Sequence, residues 1–241
     1  MWLRLGCIVA TFSFVAPAQR PVFEVASIKP GNPASGMLRS MITPGGNLRA
    51  ENVSLRTLIE DAYQMKPFQL LGGPRWIDQD RFEVIAKGGP SANADKVRQM
   101  LQVLLEDRFQ LTLQRETKQQ NVSFLTVKTQ PKMKPSKEGS RQYSSTKTQR
   151  DGTENHVSFY ATPMAMLADV LARELGQMVE DRTGLKGAFD FELDALREEA
   201  EPNPFVARLT PSLGQIGLKL ETTKGPVEFF VIARAERPRA N

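Results

Sequence analysis

Two aspartates two residues apart, Asp78 and Asp80, lie in the segment Gly72-Gly73-Pro74-Arg75-Trp76-Ile77-Asp78-Gln79-Asp80-Arg81. A pair of carboxylates can divide the acid and base roles of glycoside hydrolysis. These two are therefore the candidates for a carboxylate-dependent hydrolase of a cell-wall polymer. Acids in a Gly-Pro loop also serve as turn formers and caps. That reading is preferred, and no catalytic residue is assigned. The same loop carries Arg75 and Trp76. Arg and Trp are typical anchors of binding interfaces, and an indole can stack on a sugar or seat a partner peptide. The competing role for Trp76 is a lid packed on the sheet edge. A second polar turn, Glu180 to Gly187, presents Asp181 and Arg182, either as a local pair or as a recognition surface. The candidate binding residues are thus Arg75, Trp76, Asp78, Asp80, Asp181 and Arg182.

Other chemistries are poorly served. The chain holds one Cys, Cys7, and one His, His156, whereas zinc sites usually draw on several such ligands. No Asp-x-Asp-x-Asp-Gly calcium loop is present, so no metal is expected. His156 follows a polar stretch at the start of a strand and reads as an exposed side chain. No Gly-x-Ser-x-Gly elbow appears. The pairs Gly45-Gly46, Gly72-Gly73 and Gly88-Gly89 lack the Lys-Ser/Thr of a phosphate loop and the third glycine of a dinucleotide site. They read as turns, and no cofactor is expected.

The N-terminus frames where such a site would work. In Met1 to Ala18, Arg4 precedes the apolar run Leu5 to Val15, and Ala16-Pro17-Ala18 closes it. This is the pattern of a secretory signal peptide, and the run is too short to span a ~30 Å hydrocarbon core. Cleavage after Ala18 would remove Cys7 and Trp2. The mature protein, periplasmic or extracellular, would be held by burial alone, with Trp76 as its one tryptophan. No second stretch approaches membrane-spanning length. A net charge of +5 is spread along the chain. For an exported protein that implies weak attraction to an anionic surface rather than nucleic-acid binding. Oligomeric state is left open.

The elements that must position these residues are written twice. Ser54 and Thr162 are both placed to cap amphipathic helices, with Pro163 at the first helical position. The first helix carries Leu55, Leu58, Ile59, Ala62 and Tyr63; the second carries Leu167, Val170, Leu171 and Leu175. Both follow the i, i+3, i+4 spacing of one buried face. Each is followed by a strand with period-two alternation, Arg81 to Ala86 and Ala188 to Leu193. A second helix comes next. In the first half Asp95 is its expected cap, and in the second, near Pro204 to Leu213, Pro211 weakens it. Each half closes with two strands around a turn, placed at Gln119-Gln120-Asn121 and at Gly225-Pro226. Strands at Phe23 to Ile28, Asn47 to Asn52 and His156 to Tyr160 complete the pattern. The expectation is an α+β fold of two related halves, 19–128 and 156–241, each an antiparallel sheet with two helices on one face. Residues 129–155, rich in Lys, Ser, Gln and Thr, read as a polar basic linker or loop.

Several runs together resemble a known family. They are Phe23 to Pro30 (FEVASIKP), Leu71 to Asp78 (LGGPRWID), Asp80 to Val84 (DRFEV), Leu104 to Leu111 (LLEDRFQL), Asp181 to Phe191 (DRTGLKGAFDF) and Gly225 to Glu228 (GPVE). The family consists of exported soil-bacterial proteins of unknown function. Similar domains occur fused to membrane metallopeptidases of the β-lactam-sensor type. The resemblance implies export and brings no catalytic residues, and the His-Glu-x-x-His motif of the fused peptidases is absent here. The helix from Ser54 also looks like the short periplasmic modules of secretins and TonB-dependent receptors, at the level of fold analogy. The leading reading is an exported, non-catalytic binding or sensing module of the cell envelope. Its ligand would be an envelope protein or polymer, met by a surface loop or an open sheet edge.

Overall fold

In the computed structural model the described residues are 20–32, 39–43, 45–148, 154–196 and 209–238. The expected signal peptide, residues 1–18, lies outside them, as does the polar stretch 197–203. Strands β1 (Val25–Pro30), β2 (Arg39–Thr43) and β3 (Asn47–Val53) precede helix α1 (Leu55–Tyr63). A 3₁₀ turn (Pro67–Gln69) leads into β4 (Leu70–Gly72), the single-turn helix α2 (Trp76–Gln79), β5 (Phe82–Lys87), α3 (Ala94–Phe109) and β6 (Thr112–Val127). Then come β7 (Lys134–Pro135), β8 (Tyr143–Thr148), β9 (Glu154–Pro163), α4 (Met164–Leu175), β10 (Met178–Asp181), β11 (Ala188–Leu196), a 3₁₀ helix (Thr210–Ile216) and β12 (Leu218–Arg234). The fold is α+β, with mostly antiparallel sheets and few helices.

Among the described residues three four-stranded sheets form, in the orders β1-β5-β3-β2, β10-β6-β12-β4 and β7-β11-β9-β8. The first and third are antiparallel throughout. The middle sheet is mixed: β6 and β12 run antiparallel, while β10 lies parallel to β6 and β4 parallel to β12. It belongs to neither half alone. Strands expected to close separate sheets instead pair with each other along their whole length, from Leu218 opposite Val127 to Arg234 opposite Thr112.

That pairing removes both expected turns. Gln119 stands opposite Pro226, and Gln120 opposite Gly225, inside one continuous ladder. Gly and Pro signal a turn when the chain has nothing else to bond; here each strand supplies the other's partners. The helix starts also differ in detail. Ser54 caps α1 as expected, accepting from the Thr57 amide at 3.1 Å. In α3 the cap is Asn93, which accepts from the Lys96 amide at 2.9 Å, and Asp95 sits inside the first turn, paired with Arg98 at 2.8 Å. Pro163 is the cap residue of α4 rather than its first helical residue, and the Thr162 hydroxyl donates to the Tyr160 carbonyl.

Each long helix-feeding strand bends just before its helix. Register shifts fall in β3 between Ala50 and Val53, and in β9 between Phe159 and Thr162, opposite Phe191 and Phe189 of β11. Nearby, Asn52 and Ala161 adopt φ of 55° and 47°, a left-handed conformation costing ~1–3 kcal/mol for such residues. At Ala161 a carboxylate holds the bend: Asp190 accepts from the Ala161 amide at 2.8 Å and from the Ser136 hydroxyl at 2.6 Å. The Ala161 amide first, and the Ser136 hydroxyl second, keep this carboxyl below its usual pKa range.

Part of the stretch 129–155 is woven into the third sheet. Tyr143–Thr148 pairs with β9, and the Tyr143 and Tyr160 rings stack with centroids 4.4 Å apart. Tyr143, Thr146 and Thr148, residue types that favour strands, let this polar run pair once an edge is available to receive it.

Among the described residues, two large cores sit at the two ends of the β6·β12 ribbon, with a smaller cluster of Val122, Val227 and Phe229 between them. One gathers α1, α3 and the first sheet, with Phe230 and Ile232 from β12. The other gathers α4, β9 and β11, with Leu125 from β6 and Leu218 from β12. Because the same two strands enter both, unfolding is expected to be one cooperative transition. Phe109→Ala in the first core should cost ~3–5 kcal/mol, and Leu171→Ala in the second ~2–5 kcal/mol. Calorimetry should show a single peak that either substitution moves as a whole. Two peaks, of which each variant moves only one, would overturn this.

Candidate functional site

The loop singled out from the sequence is held against the ribbon end. Gly72 and Gly73 adopt φ of 74° and 88°, and a Cβ at Gly73 would lie 2.6 Å from Ile77 Cδ1. Glycine there lets buried Ile77 seat under the loop. Arg56 of α1 grips the loop from inside. Its guanidinium donates to the Leu70 carbonyl at 3.0 Å and the Gly72 carbonyl at 3.3 Å, and pairs with Asp78. Asp80 pairs with Arg237 at 2.7 Å, and the Arg237 guanidinium lies 5.2 Å from the centroid of the Trp76 ring. Trp76 itself is half-buried against the first core. Each aspartate is thus bound to its own arginine. Arg75 is exposed at the start of α2.

Asp181 and Arg182 lie elsewhere. Asp181 forms a local turn, accepting from the Thr183 amide at 2.9 Å and its hydroxyl at 2.7 Å. Arg182 lies 3.4 Å from the centroid of the Phe124 ring and donates to Glu180 at 3.1 Å. β4 and β10 occupy opposite edges of the middle sheet. Gly72 is level with Ile232 and so with Leu113, whereas Asp181 is level with Leu125. At ~3.3 Å per residue, the stretch from Leu113 to Leu125 separates the two loops by roughly 40 Å. They cannot form one site.

A second constellation escaped sequence reasoning. A cleft of ≈ 510 Å³ opens between β2, the C-terminal turn of α1 and the start of α3. Glu60 of α1 lines it, with Asp61, Gln64, Lys66 and Arg98 at its polar side. The Glu60 Oε1 atom is buried and has no hydrogen-bond partner among the described residues. Burial pushes the Glu60 carboxyl up to about 7; Arg56 opposes this, and Asp61 and Asp78 add to it. A strongly perturbed acid in a cleft is the usual physical mark of a functional position. The heptad-like stripe of α1 places Glu60 on its flank, where a lone helix would leave it in water; only β2 and α3 bury it. Two other groupings offer less. His156 Nδ1 lies 2.6 Å from Asp194 Oδ1 at the surface of the third sheet. Ser144 and Lys147 have the spacing of an acylation pair, but in a strand residues three apart face opposite sides.

Residues 56–235 match the model of a family described as protein of unknown function (DUF3738). The fold is a mixed α/β arrangement with antiparallel sheets, and the chain belongs to this family. Comparison with curated proteins and with solved structures gives no match.

Glu60 yields a prediction about stability. Its folded pKa, about 7, lies above the ordinary glutamate value of 4.5. The folded state therefore holds its proton more tightly than the unfolded state between these values. Stability is full below about pH 4.5 and falls as pH rises toward 7 through this group. Glu60→Gln should raise Tm relative to the parent protein above pH 7, with the gain vanishing below pH 4.5. A gain that is independent of pH would show that Glu60 titrates normally.

Proposed function

We propose that the chain is an exported, non-catalytic binding module of the cell envelope that takes up an extended peptide segment along the free edge of β6. The observation carrying this is a long strand edge without a neighbour. β10 covers β6 only from Val122 to Leu125. From Gln114 to Asn121 every residue is exposed, and among the described residues this stretch pairs with β12 alone. Strand addition uses such an edge for main-chain bonds and alternate side chains for selectivity. The equivalent stretch of β12 is interrupted by Pro226, which has no N–H to offer; the β6 edge contains no proline. Arg115, Glu116 and Lys118 discourage copies of the chain from pairing here and favour a partner of complementary charge.

The hydrolase alternative has less support, because Asp78 and Asp80 each hold an arginine. Arg75, Trp76, Asp78 and Asp80, like Asp181 and Arg182, are secondary contact candidates in this proposal. Export rests on the pattern of residues 1–18 and on the resemblance to exported proteins. Internal duplication belongs to the same proposal. It is supported by the paired bulges before α1 and α4, and by β4 and β10 running parallel beside β12 and β6.

Peptides selected from a displayed random library on the mature chain should protect alternate amides of Gln114–Asn121 from hydrogen exchange. Adjacent residues of a strand aim their N–H groups to opposite sides. Of Thr117→Pro and Lys118→Pro, one therefore removes an outward donor and spares the ladder. That variant should keep its Tm and lose the peptide. Protection of another segment, or unchanged peptide affinity in both variants, would sink the proposal. The export half is checked separately: protein recovered from the envelope of an expressing bacterium should begin at Gln19 by mass spectrometry, and intact chain confined to the cytosol would count against it.

A further inference from the structure

The cleft beside Glu60 shares no lining residue with the β6 edge, and its chemistry leads to a separate ligand. Its lining is half apolar, from Met41, Ile42, Leu48, Met65, Val97 and Leu101, and half polar. Its volume of ≈ 510 Å³ falls within the range of small-molecule sites. The charges around it are unevenly matched. Arg56 is engaged by Asp78 and two backbone carbonyls. Lys66 pairs with Asp169 of α4, and Arg98 with Asp95. The two cations of the cleft lining, Lys66 and Arg98, and Arg56, the cation acting on Glu60, are thus each already paired. Glu60 and Asp61 are left, and the inner Glu60 oxygen meets no donor among the described residues. Glu60 is half-buried, its inner oxygen has no donor among these residues, and burial makes its ionised form costly; a cation brought into the cleft would relieve that.

We propose that this cleft binds a small amphiphilic amine, its ammonium group on the Glu60 carboxylate and its apolar body along Met41, Ile42, Leu48, Met65, Val97 and Leu101. The amine must be compact, since the space holds a short chain or single ring rather than a polymer. Its charge distinguishes it from neutral apolar ligands, which would leave the carboxyl as costly as before. The cation also changes the protonation of the site. With an ammonium beside it, Glu60 ionises at a lower pH, so binding near neutral pH releases a proton and strengthens as pH rises through about 7. Arg56, Lys66, Arg98, Asp61 and Asp78 are the charged groups that share this environment, and the first three are held by their own partners throughout.

Hexylammonium chloride is the probe, titrated calorimetrically into the full chain. Saturable binding with a Kd of about 1 mM is expected near pH 8.5, a scale set by so small a ligand. It should weaken about tenfold or more near pH 5.5, and hexan-1-ol should bind about tenfold more weakly than the amine. Glu60→Gln should lose the same factor and abolish proton release, seen as heat that no longer depends on the buffer's ionisation enthalpy. Met41→Trp, which fills the cleft from β2 and leaves the carboxyl intact, should also weaken binding, and serves if Glu60→Gln perturbs the fold. No saturation up to about 50 mM, equal affinity for hexanol, or undiminished binding by both variants would overturn the proposal and leave the inner oxygen simply hydrated. The strand-edge reading is untouched by any of these results, since its peptides report on β6.

Discussion

The antiparallel ladder between β6 and β12 is the constraint on which the rest depends. It is the one element that enters both cores, giving Phe230 and Ile232 to the first and Leu125 and Leu218 to the second. A ladder this long fixes register strictly, because a slip of one residue would turn each of these side chains to the opposite face. Burial at both ends holds the register against that slip. Between them, where Gln119 faces Pro226, one face of the ribbon is polar while the other packs through Val122, Val227 and Phe229.

The outer strands follow from the ladder. β4 and β10 each arrive from the end of a helix and lie parallel beside β12 and β6. Glutamines stand at equivalent entries. The Gln69 amide donates to the Glu228 carbonyl at 2.9 Å, and that of Gln177 to the Ser123 hydroxyl at 2.8 Å. Each helix must therefore leave one sheet and deliver its chain to another. The left-handed residues Asn52 and Ala161 make that departure, and the strain they carry is tolerated because the helices are locked at both ends. The short reach of β4 and β10 leaves the remaining strand edges open, so the proposed binding edge is a consequence of how the cores are joined.

Local pattern was legible in the sequence, and pairing across distance was not. The stripe of α1, its Ser54 cap and the alternation of Phe82, Val84 and Ala86 depend on neighbouring residues alone, and they appear as expected. The Gly225-Pro226 turn failed because the competing partner, Gln119, lies far away in the chain. Thr162 failed as a cap because the bulge at Ala161 moves the helix start onward. At the candidate site, the loop from Gly72 to Arg81 was noticed for its unusual composition. Its aspartates then proved to be held by Arg56 and Arg237, one from a preceding helix and one from the far C-terminal segment. Glu60 gave no local signal at all, since its burial comes from β2 and α3.

The exposed Asp78 and the inner Glu60 are two outcomes of one competition for Arg56. An arginine four residues before a glutamate on a helix can pair with it, though this order is the less favourable one. Here the guanidinium turns away to the loop, where it satisfies two carbonyls and a carboxylate at once. Planar, forked donors gain most from several acceptors in fixed positions. Anchoring the loop also satisfies carbonyls at the β4 edge, so the arrangement that completes the fold commits Arg56 to the loop, and its charge only partly offsets the burial of Glu60. The perturbed acid is in this sense a by-product of the ribbon's need for a fixed edge, and its cleft is where the molecule retains an unmet demand for positive charge.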